Sequence, residues 1–206
     1  MSETCKSETC KSETYNKGTG AGGSNTNSNG IAFENKTDNE DHMISCGFVR
    51  KIIPGKQNTK YGYYLEKNDG NKTIHFVTQN GLKYYMFHFH QKKMCREPDG
   101  AYIITDNITN NITVKILEKK EQKGAGSVED KLMLGYHFKF VEYPSCLGPS
   151  FKVEYAFCLS GYFKNIYNSD QLKWQIIRND NEKNNIPVLF GDDDDYQSKL
   201  SEWVNS

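Results

Sequence analysis

Residues 98–131, PDGAYIITDNITNNITVKILEKKEQKGAGSVEDK, decide the fold and carry most of the chemistry predicted for the chain. The stretch contains two β-rich runs separated by an Asn- and Thr-rich turn. Side chains of a strand point alternately to opposite faces, so Glu118 and Lys120 share one face and Lys119 lies on the other. We predict that Asp99, at the end of the neighbouring strand, meets Glu118 and Lys120 there.

These residue types suit the hydrolysis of a phosphodiester bond. Mg²⁺ prefers oxygen ligands and keeps several waters, so the carboxylates of Asp99 and Glu118 suffice to hold one or two ions, and Mn²⁺ can substitute. Lys120 either orients the attacking water, stabilises charge on the phosphorane, or acts as a neutral base. Gln122 falls on the same strand face, and residues 124–128 can present backbone N–H groups to phosphate. An ordinary charged strand after a turn remains the alternative interpretation.

Composition gives little support for a general attraction to nucleic acid. The 206 residues have a formal net charge of +0 and 36% hydrophobic side chains. The charge is uneven, however, because Glu66 and Asp69 are the only acids between Arg50 and Arg96. A local basic patch of this kind can bind phosphate without a basic total.

The chain divides into a tail and one domain. Residues 1–29 combine a repeated Ser-Glu-Thr-Cys-Lys unit with Gly, Ser, Asn and Thr, which predicts a disordered low-complexity tail before a domain at 30–206. No apolar signal region or membrane-spanning run is found, and six scattered cysteines without a CxxC pair favour reduced thiols. These features predict an intracellular, cytoplasmic protein without membrane contact. Four Asn-x-Ser/Thr sequons leave a secreted glycoprotein as a rival.

Hydrophobic periodicity predicts alternating helices and strands around the central stretch. A helix over 30–46 places Glu34 in its first turn, where it either favours the helix N-terminus electrostatically or helps position a metal-bound water. The apolar run Phe151–Leu159 fits a strand buried within a mixed sheet. Further strands are predicted at 61–65, 73–77, 82–90 and 186–190, with helices at 127–140, 169–178 and 196–204 and a loop at 144–149.

The aromatic and basic section from 48 to 90 has a composition that suits a nucleic-acid-binding surface. Its lysines and tyrosines interleave as they do on surfaces that contact phosphates and bases, although an antiparallel sheet with one wet face has the same pattern. Gln57, Asn58 and Asn80 are candidates for reading base edges. His88 and His90 share one face of the predicted strand, where a solvated or DNA-facing edge is favoured over a metal site.

The motif Pro98-Asp99 followed by Glu118-x-Lys120 resembles the signature of the PD-(D/E)XK nuclease superfamily. Residues 116–122 and 126–132, ILEKKEQ and GSVEDKL, look like the active-site block of its type II restriction endonucleases, and 96–102 resembles their first block. The resemblance implies an α/β (α+β) restriction-endonuclease-like core, with a central mixed β-sheet flanked by helices. It implies catalytic roles for Asp99, Glu118 and Lys120, and makes Glu34 the candidate for a glutamate of an early helix that lines the site.

We therefore expect a Mg²⁺-dependent, sequence-specific endonuclease that cuts double-stranded DNA as a homodimer, because symmetric DNA sites mirror two-fold protein symmetry. A structure-specific or nicking nuclease and a non-catalytic DNA-binding module are the alternatives.

Overall fold

The structure is a computed structural model and describes residues 33, 36, 37, 40–121 and 128–206. The predicted tail at 1–29 lies outside these residues. Within the predicted helix at 30–46, the structure describes residues 33, 36 and 37 and helix α1, Glu40–Ser45. Helix α1 ends before Gly47. Gly47 has a φ of 92°, a conformation that glycine adopts without steric cost.

The strands of the described ranges form one seven-stranded sheet in which sequence neighbours are also spatial neighbours. The strands are β1 (Val49–Ile52), β2 (Tyr63–Asn68), β3 (Lys72–Val77), β4 (Gly100–Asp106), β5 (Ile112–Lys120), β6 (Phe151–Leu159) and β7 (Val188–Phe190). Strands β1 to β5 pair antiparallel, whereas β5, β6 and β7 pair parallel. The predicted mixed sheet is confirmed, and the direction of pairing changes at β5.

Helices cover both faces of the sheet. Besides α1, they are α2 (Asn80–His90), α3 (Val128–Met133), α4 (Gly135–His137), a π-helix (Phe138–Glu142), α5 (Tyr143–Leu147), α6 (Gly161–Tyr167), α7 (Leu172–Lys183) and α8 (Tyr196–Asn205). The larger buried cluster includes Leu82 of α2, Tyr143 of α5 and Trp174 of α7. The smaller cluster, on the opposite face, includes Met43 of α1 and Leu200 of α8. The prediction of a mixed sheet flanked by helices is thus confirmed.

Strand β6 fulfils the prediction for the most apolar run of the chain. It lies between β5 and β7, and its side chains alternate between the two cores. Tyr155 and Phe157 belong to the larger cluster, and Ala156 and Cys158 belong to the smaller one. A strand that is buried on both faces has an almost continuous hydrophobic sequence, as here.

The predicted strand at 82–90 is wrong, because these residues belong to helix α2. Leu82, Tyr85 and Met86 are buried, and their i, i+3, i+4 spacing is that of one helix face. The aromatic content of the run favoured a strand, but burial follows the helical period. Residues two apart lie on different sides of a helix, so His88 and His90 do not share a face.

The predicted loop at 144–149 is also wrong in part. Residues 143–147 form α5, which continues the helical segment at 128–142 through the π-helix. Pro144 stands in the first turn of α5, directly after the π-helix, where the hydrogen-bonding pattern of the helical segment changes. Helix α6 was not predicted, whereas the predicted elements at 169–178, 186–190 and 196–204 correspond to α7, β7 and α8.

The loop between β1 and β2 is closed by a tight approach at Gly62. The Ile53 N–H donates to the Gly62 carbonyl at 2.8 Å, and the Gly62 N–H donates to the Thr59 carbonyl at 3.1 Å. A Cβ added at Gly62 would lie 1.8 Å from the Lys56 carbonyl oxygen. Only glycine fits this backbone arrangement without a shift of the loop.

We expect Gly62→Ala to lower the free energy of unfolding by about 1–3 kcal/mol, because backbone must move to relieve the clash. Urea denaturation of the two proteins measures the effect. Thr59→Ala is the matched control, because it removes only a side-chain hydrogen bond to the same Lys56 carbonyl. Equal stability of Gly62→Ala and the wild type would contradict the close approach.

Candidate active site

Asp99 and Glu118 meet at one edge of the sheet because β4 and β5 are antiparallel. Gly100 pairs with Leu117, so the next residue outward on each strand, Asp99 and Glu118, continues the same register. The side chains of residues directly opposite one another project from the same face of a sheet. The structure therefore brings together the two carboxylates that the sequence predicts to meet.

Lys120 completes the cluster. Its Nζ lies 2.6 Å from Glu118 Oε1 and 3.5 Å from Asp99 Oδ2. It also donates a hydrogen bond to the Lys119 carbonyl oxygen at 2.9 Å. The side chains of Lys120, Asp99 and Glu118 are 15%, 16% and 17% exposed. The cluster is therefore mostly buried, but a small part of each side chain remains in contact with solvent.

The backbone of β5 orients Asp99. The Lys119 N–H donates to Asp99 Oδ2 at 2.7 Å. The Lys119 side chain points to the other face, where it is buried and donates to the Thr37 carbonyl at 2.9 Å. The alternation predicted for residues 118–120 is thus confirmed. It places Lys120 in the candidate site and Lys119 on the opposite face of the sheet.

Burial and the neighbouring charges shift the pKa values of both Glu118 and Lys120. Burial and the Asp99 carboxylate raise the pKa of Glu118, against the opposing effects of Lys120 and Arg96. Burial also disfavours the charge on Lys120, but the carboxylates of Glu118 and Asp99 outweigh it and raise the pKa of Lys120. This arrangement favours the ammonium form of Lys120 over the neutral base that the sequence left open.

The donor set fits a hard divalent cation. Asp99, Glu118 and the Lys119 carbonyl present oxygen atoms to one position, at which the Lys120 ammonium is held. With both carboxylates ionised, the cluster has one net negative charge. Mg²⁺ needs only one or two carboxylates because it retains waters. Among the described residues, no group of three or more His, Cys, Asp or Glu side chains is arranged to hold a metal ion.

Several residues around the cluster were not predicted as site residues. The Arg96 guanidinium makes a two-point contact with Glu142, with Nε–Oε1 at 2.7 Å and Nη2–Oε2 at 3.1 Å. Tyr143 and Tyr155 are buried, and burial together with the Glu118 carboxylate raises the pKa of both phenols. They are thus neutral hydroxyls close to Glu118. Among the described residues, none forms a hydrogen bond with the Tyr143 hydroxyl.

The π-helix positions Glu142 and Tyr143 next to the candidate site. It ends at Glu142, directly before Tyr143, and its widened turn occurs where the helical segment passes the site. Single-turn π-helices often occur at functional sites. Arg96 lies close to Asp99 in the sequence, within the stretch 96–102 that resembles the nuclease motif. Glu142 and Tyr143 are more than 20 residues from Lys120, and no sequence motif pointed to them.

Other predicted site residues are placed differently or are not described. Glu34, Gln122 and residues 124–127 lie outside the described residues, so their roles stay predictions. Tyr64 and Tyr85 of the aromatic section are buried in the core and cannot stack on bases. They surround His75, which contacts the Tyr85 hydroxyl and lies 3.0 Å from Glu66.

None of the helices in the described residues has the length and apolar character needed to cross a bilayer. Comparisons of the chain with protein-family models, with curated proteins and with solved structures found no match.

Proposed function

We propose that the protein is a Mg²⁺-dependent endonuclease that hydrolyses double-stranded DNA. The observation that carries the proposal is the convergence of Asp99, Glu118 and Lys120 at one sheet edge, within 3.5 Å of the Lys120 ammonium. The antiparallel pair that carries an Asp before one strand and Glu-x-Lys on the next is also what a restriction-endonuclease-like core requires. Geometry and the sequence motif therefore support the same class of enzyme.

Each residue has a separate task in this chemistry. Asp99 and Glu118 would hold Mg²⁺, with the Lys119 carbonyl as a third protein oxygen. Mg²⁺ bound there would polarise the phosphate of the substrate and lower the pKa of a bound water. Lys120, whose ammonium would leave the position between the carboxylates when Mg²⁺ binds, keeps a positive charge next to them, where it can stabilise the charge that develops on the phosphorane. Its raised pKa favours this role over proton abstraction.

A basic loop lies at the same edge of the sheet as the site. Leu65, Phe76 and Tyr102 are successive neighbours across β2, β3 and β4. The β1–β2 loop, which precedes β2, therefore faces the edge at which Asp99 precedes β4. The loop contains Lys56 and the exposed Lys60.

Helix α2 links this loop to the site. The Lys56 ammonium lies 4.5 Å from the centre of the Tyr84 ring, and the Tyr61 carbonyl packs on Gly81. At the start of the helix the Gln79 N–H donates to the Pro98 carbonyl at 2.9 Å, next to Asp99. The loop is thus well placed for DNA that enters the site. The candidate base-reading residues Gln57 and Asn58 are exposed on the same loop.

The double variant Lys56→Gln/Lys60→Gln is expected to weaken DNA binding without changing the site. If both ammonium groups neutralise a phosphate, the slope of log K against log salt falls by about 1.8. Fluorescence anisotropy with a labelled duplex, measured in Ca²⁺ over a series of salt concentrations, gives this slope. Lys72→Gln/Lys152→Gln is the charge-matched control at the opposite edge of the sheet. An unchanged slope in Lys56→Gln/Lys60→Gln would show that the loop does not contact DNA phosphates.

Plasmid cleavage tests the proposed function. The protein is incubated with supercoiled DNA in Mg²⁺, Mn²⁺, Ca²⁺ or EDTA. Discrete linear fragments in Mg²⁺ or Mn²⁺ support a sequence-specific double-strand endonuclease, and open circles alone support a nicking enzyme. DNA binding without cleavage in any divalent ion would overturn the enzyme in favour of a non-catalytic DNA-binding module.

The proposed enzyme acts as a homodimer inside the cell, so that two sites cut two strands. Analytical ultracentrifugation with and without a cleavable duplex measures the stoichiometry. A complex with one protein chain per cleaved site would contradict the dimer.

A further inference from the structure

Two cysteines from distant parts of the chain meet beside the candidate active site. The Sγ atoms of Cys95 and Cys146 are 2.9 Å apart, although 51 residues separate them in the sequence. Cys95 is exposed, and Cys146 is partly exposed. A disulfide has an S–S length of about 2.05 Å, so these sulfurs need to approach by less than about 1 Å.

We propose that Cys95 and Cys146 are a redox modification site, at which a peroxide or a disulfide oxidant of the glutathione type forms an intramolecular disulfide that braces the active site. With hydrogen peroxide, one thiol becomes a sulfenic acid and releases water. The second thiol then attacks that sulfur, the S–O bond breaks, and a second water leaves. With a glutathione disulfide, two thiol exchanges give the same product and two reduced thiols.

The position of the pair connects it to the site. Cys95 is four residues before Asp99 and next to Arg96. Cys146 is in α5, which begins at Tyr143 directly after Glu142. The Arg96–Glu142 ion pair already joins these two segments, and the disulfide would add a covalent link in parallel with it.

The bond would enclose the catalytic strands. The closed loop contains β4 and β5, and with them Asp99, Glu118 and Lys120. Closing a loop of this length restricts the unfolded chain more than the folded one and therefore stabilises the folded state. Because the sulfurs already lie close, the disulfide keeps the present arrangement of the site.

The local chemistry sets the pH dependence of the reaction. Partial desolvation of the sulfur, the hydrogen bond to Cys146 and the nearby Glu142 carboxylate raise the pKa of the Cys95 thiol to about 12. A thiolate is the reactive form of cysteine, so bond formation is expected to accelerate as the pH rises above neutrality.

Mass spectrometry tests the site directly in the full-length protein. After treatment with glutathione disulfide, alkylation of free thiols and trypsin digestion, we expect residues 94–96 to be joined to residues 140–152. Each of the six cysteines falls in a different tryptic peptide, so every competing pair has its own mass. Oxidised protein whose Cys95 and Cys146 are joined to other cysteines or only to glutathione would overturn the proposal.

Thermal denaturation tests the brace. The oxidised protein is expected to melt about 5–10 °C higher than the reduced protein, and dithiothreitol should reverse the shift. Cys95→Ser and Cys146→Ser should each abolish the shift, whereas Cys46→Ser should keep it. An oxidation-dependent shift that survives in Cys95→Ser would contradict the assignment.

The effect on catalysis rests on the proposed function, whereas the crosslink and the melting shift do not. We expect the oxidised protein to retain cleavage and to lose it more slowly on heating. A detected crosslink in a protein that never cuts DNA would leave the modification site standing and remove only the nuclease.

Discussion

Asp99→Asn is expected to lower the rate of Mg²⁺-dependent DNA cleavage by at least about 10²–10³-fold. The substitution removes one of two carboxylate charges but keeps an oxygen that can accept the Lys119 N–H, which now lies 2.7 Å from Asp99 Oδ2. The fold should therefore persist while the affinity for the metal falls. Single-turnover cleavage at several Mg²⁺ concentrations, together with the melting temperature, separates these two effects.

The matched control lies at the other end of the same strand. Asp106 ends β4, and its Oδ1 accepts the Ile108 and Thr109 N–H groups at 2.9 and 2.8 Å. An asparagine keeps this turn, so Asp106→Asn should cleave at the wild-type rate. If Asp99→Asn cleaves as fast as Asp106→Asn, Asp99 is an ordinary turn residue and the proposed metal site is lost.

Lys120→Met is expected to remove cleavage and to change the response of the fold to metal. Loss of the ammonium leaves Glu118 and Asp99 as two poorly solvated carboxylates without a cation between them. Removing one partner of a buried ion pair costs about 3–5 kcal/mol of stability. Cleavage should fall by at least about 10²-fold, because a charge beside the phosphorane is lost.

A cation that binds only the folded state raises its stability. Added Mg²⁺ should therefore stabilise Lys120→Met more than the wild type, because in the variant no ammonium occupies the position between the two carboxylates. Differential scanning fluorimetry with and without Mg²⁺ measures this difference without any substrate. Lys152→Met is the control, since Lys152 is 70% exposed and lies at the opposite end of the parallel pair. Wild-type cleavage by Lys120→Met would remove Lys120 from the chemistry.

The sheet was more predictable than the helices around it. The alternation in Phe151–Leu159 contained enough information to place β6 between two cores, because burial on both faces leaves few polar positions. The prediction of a strand at 82–90 is wrong because aromatic side chains favour strands, whereas the buried residues Leu82, Tyr85 and Met86 have the spacing of a helix. A local preference was overruled there by packing against the sheet.

The core of the candidate site was predictable for a local reason. Asp99 directly precedes β4 and Glu118 lies in β5, and one short turn joins the two strands, so strand alternation and the antiparallel register are sufficient to bring them together. Arg96–Glu142 and Tyr143 were not predictable, because they depend on how a helical segment packs on the sheet. No periodicity within 128–147 indicates which of its residues faces Glu118.

The turn between β4 and β5 has a practical consequence. It lies at the end of the hairpin opposite Asp99 and Glu118, and its Ile108 side chain is 77% exposed. Exposed turns far from a site are where insertions are best tolerated. A fluorescent label or a purification tag next to Ile108 would therefore report on or immobilise the protein at a distance from the candidate site.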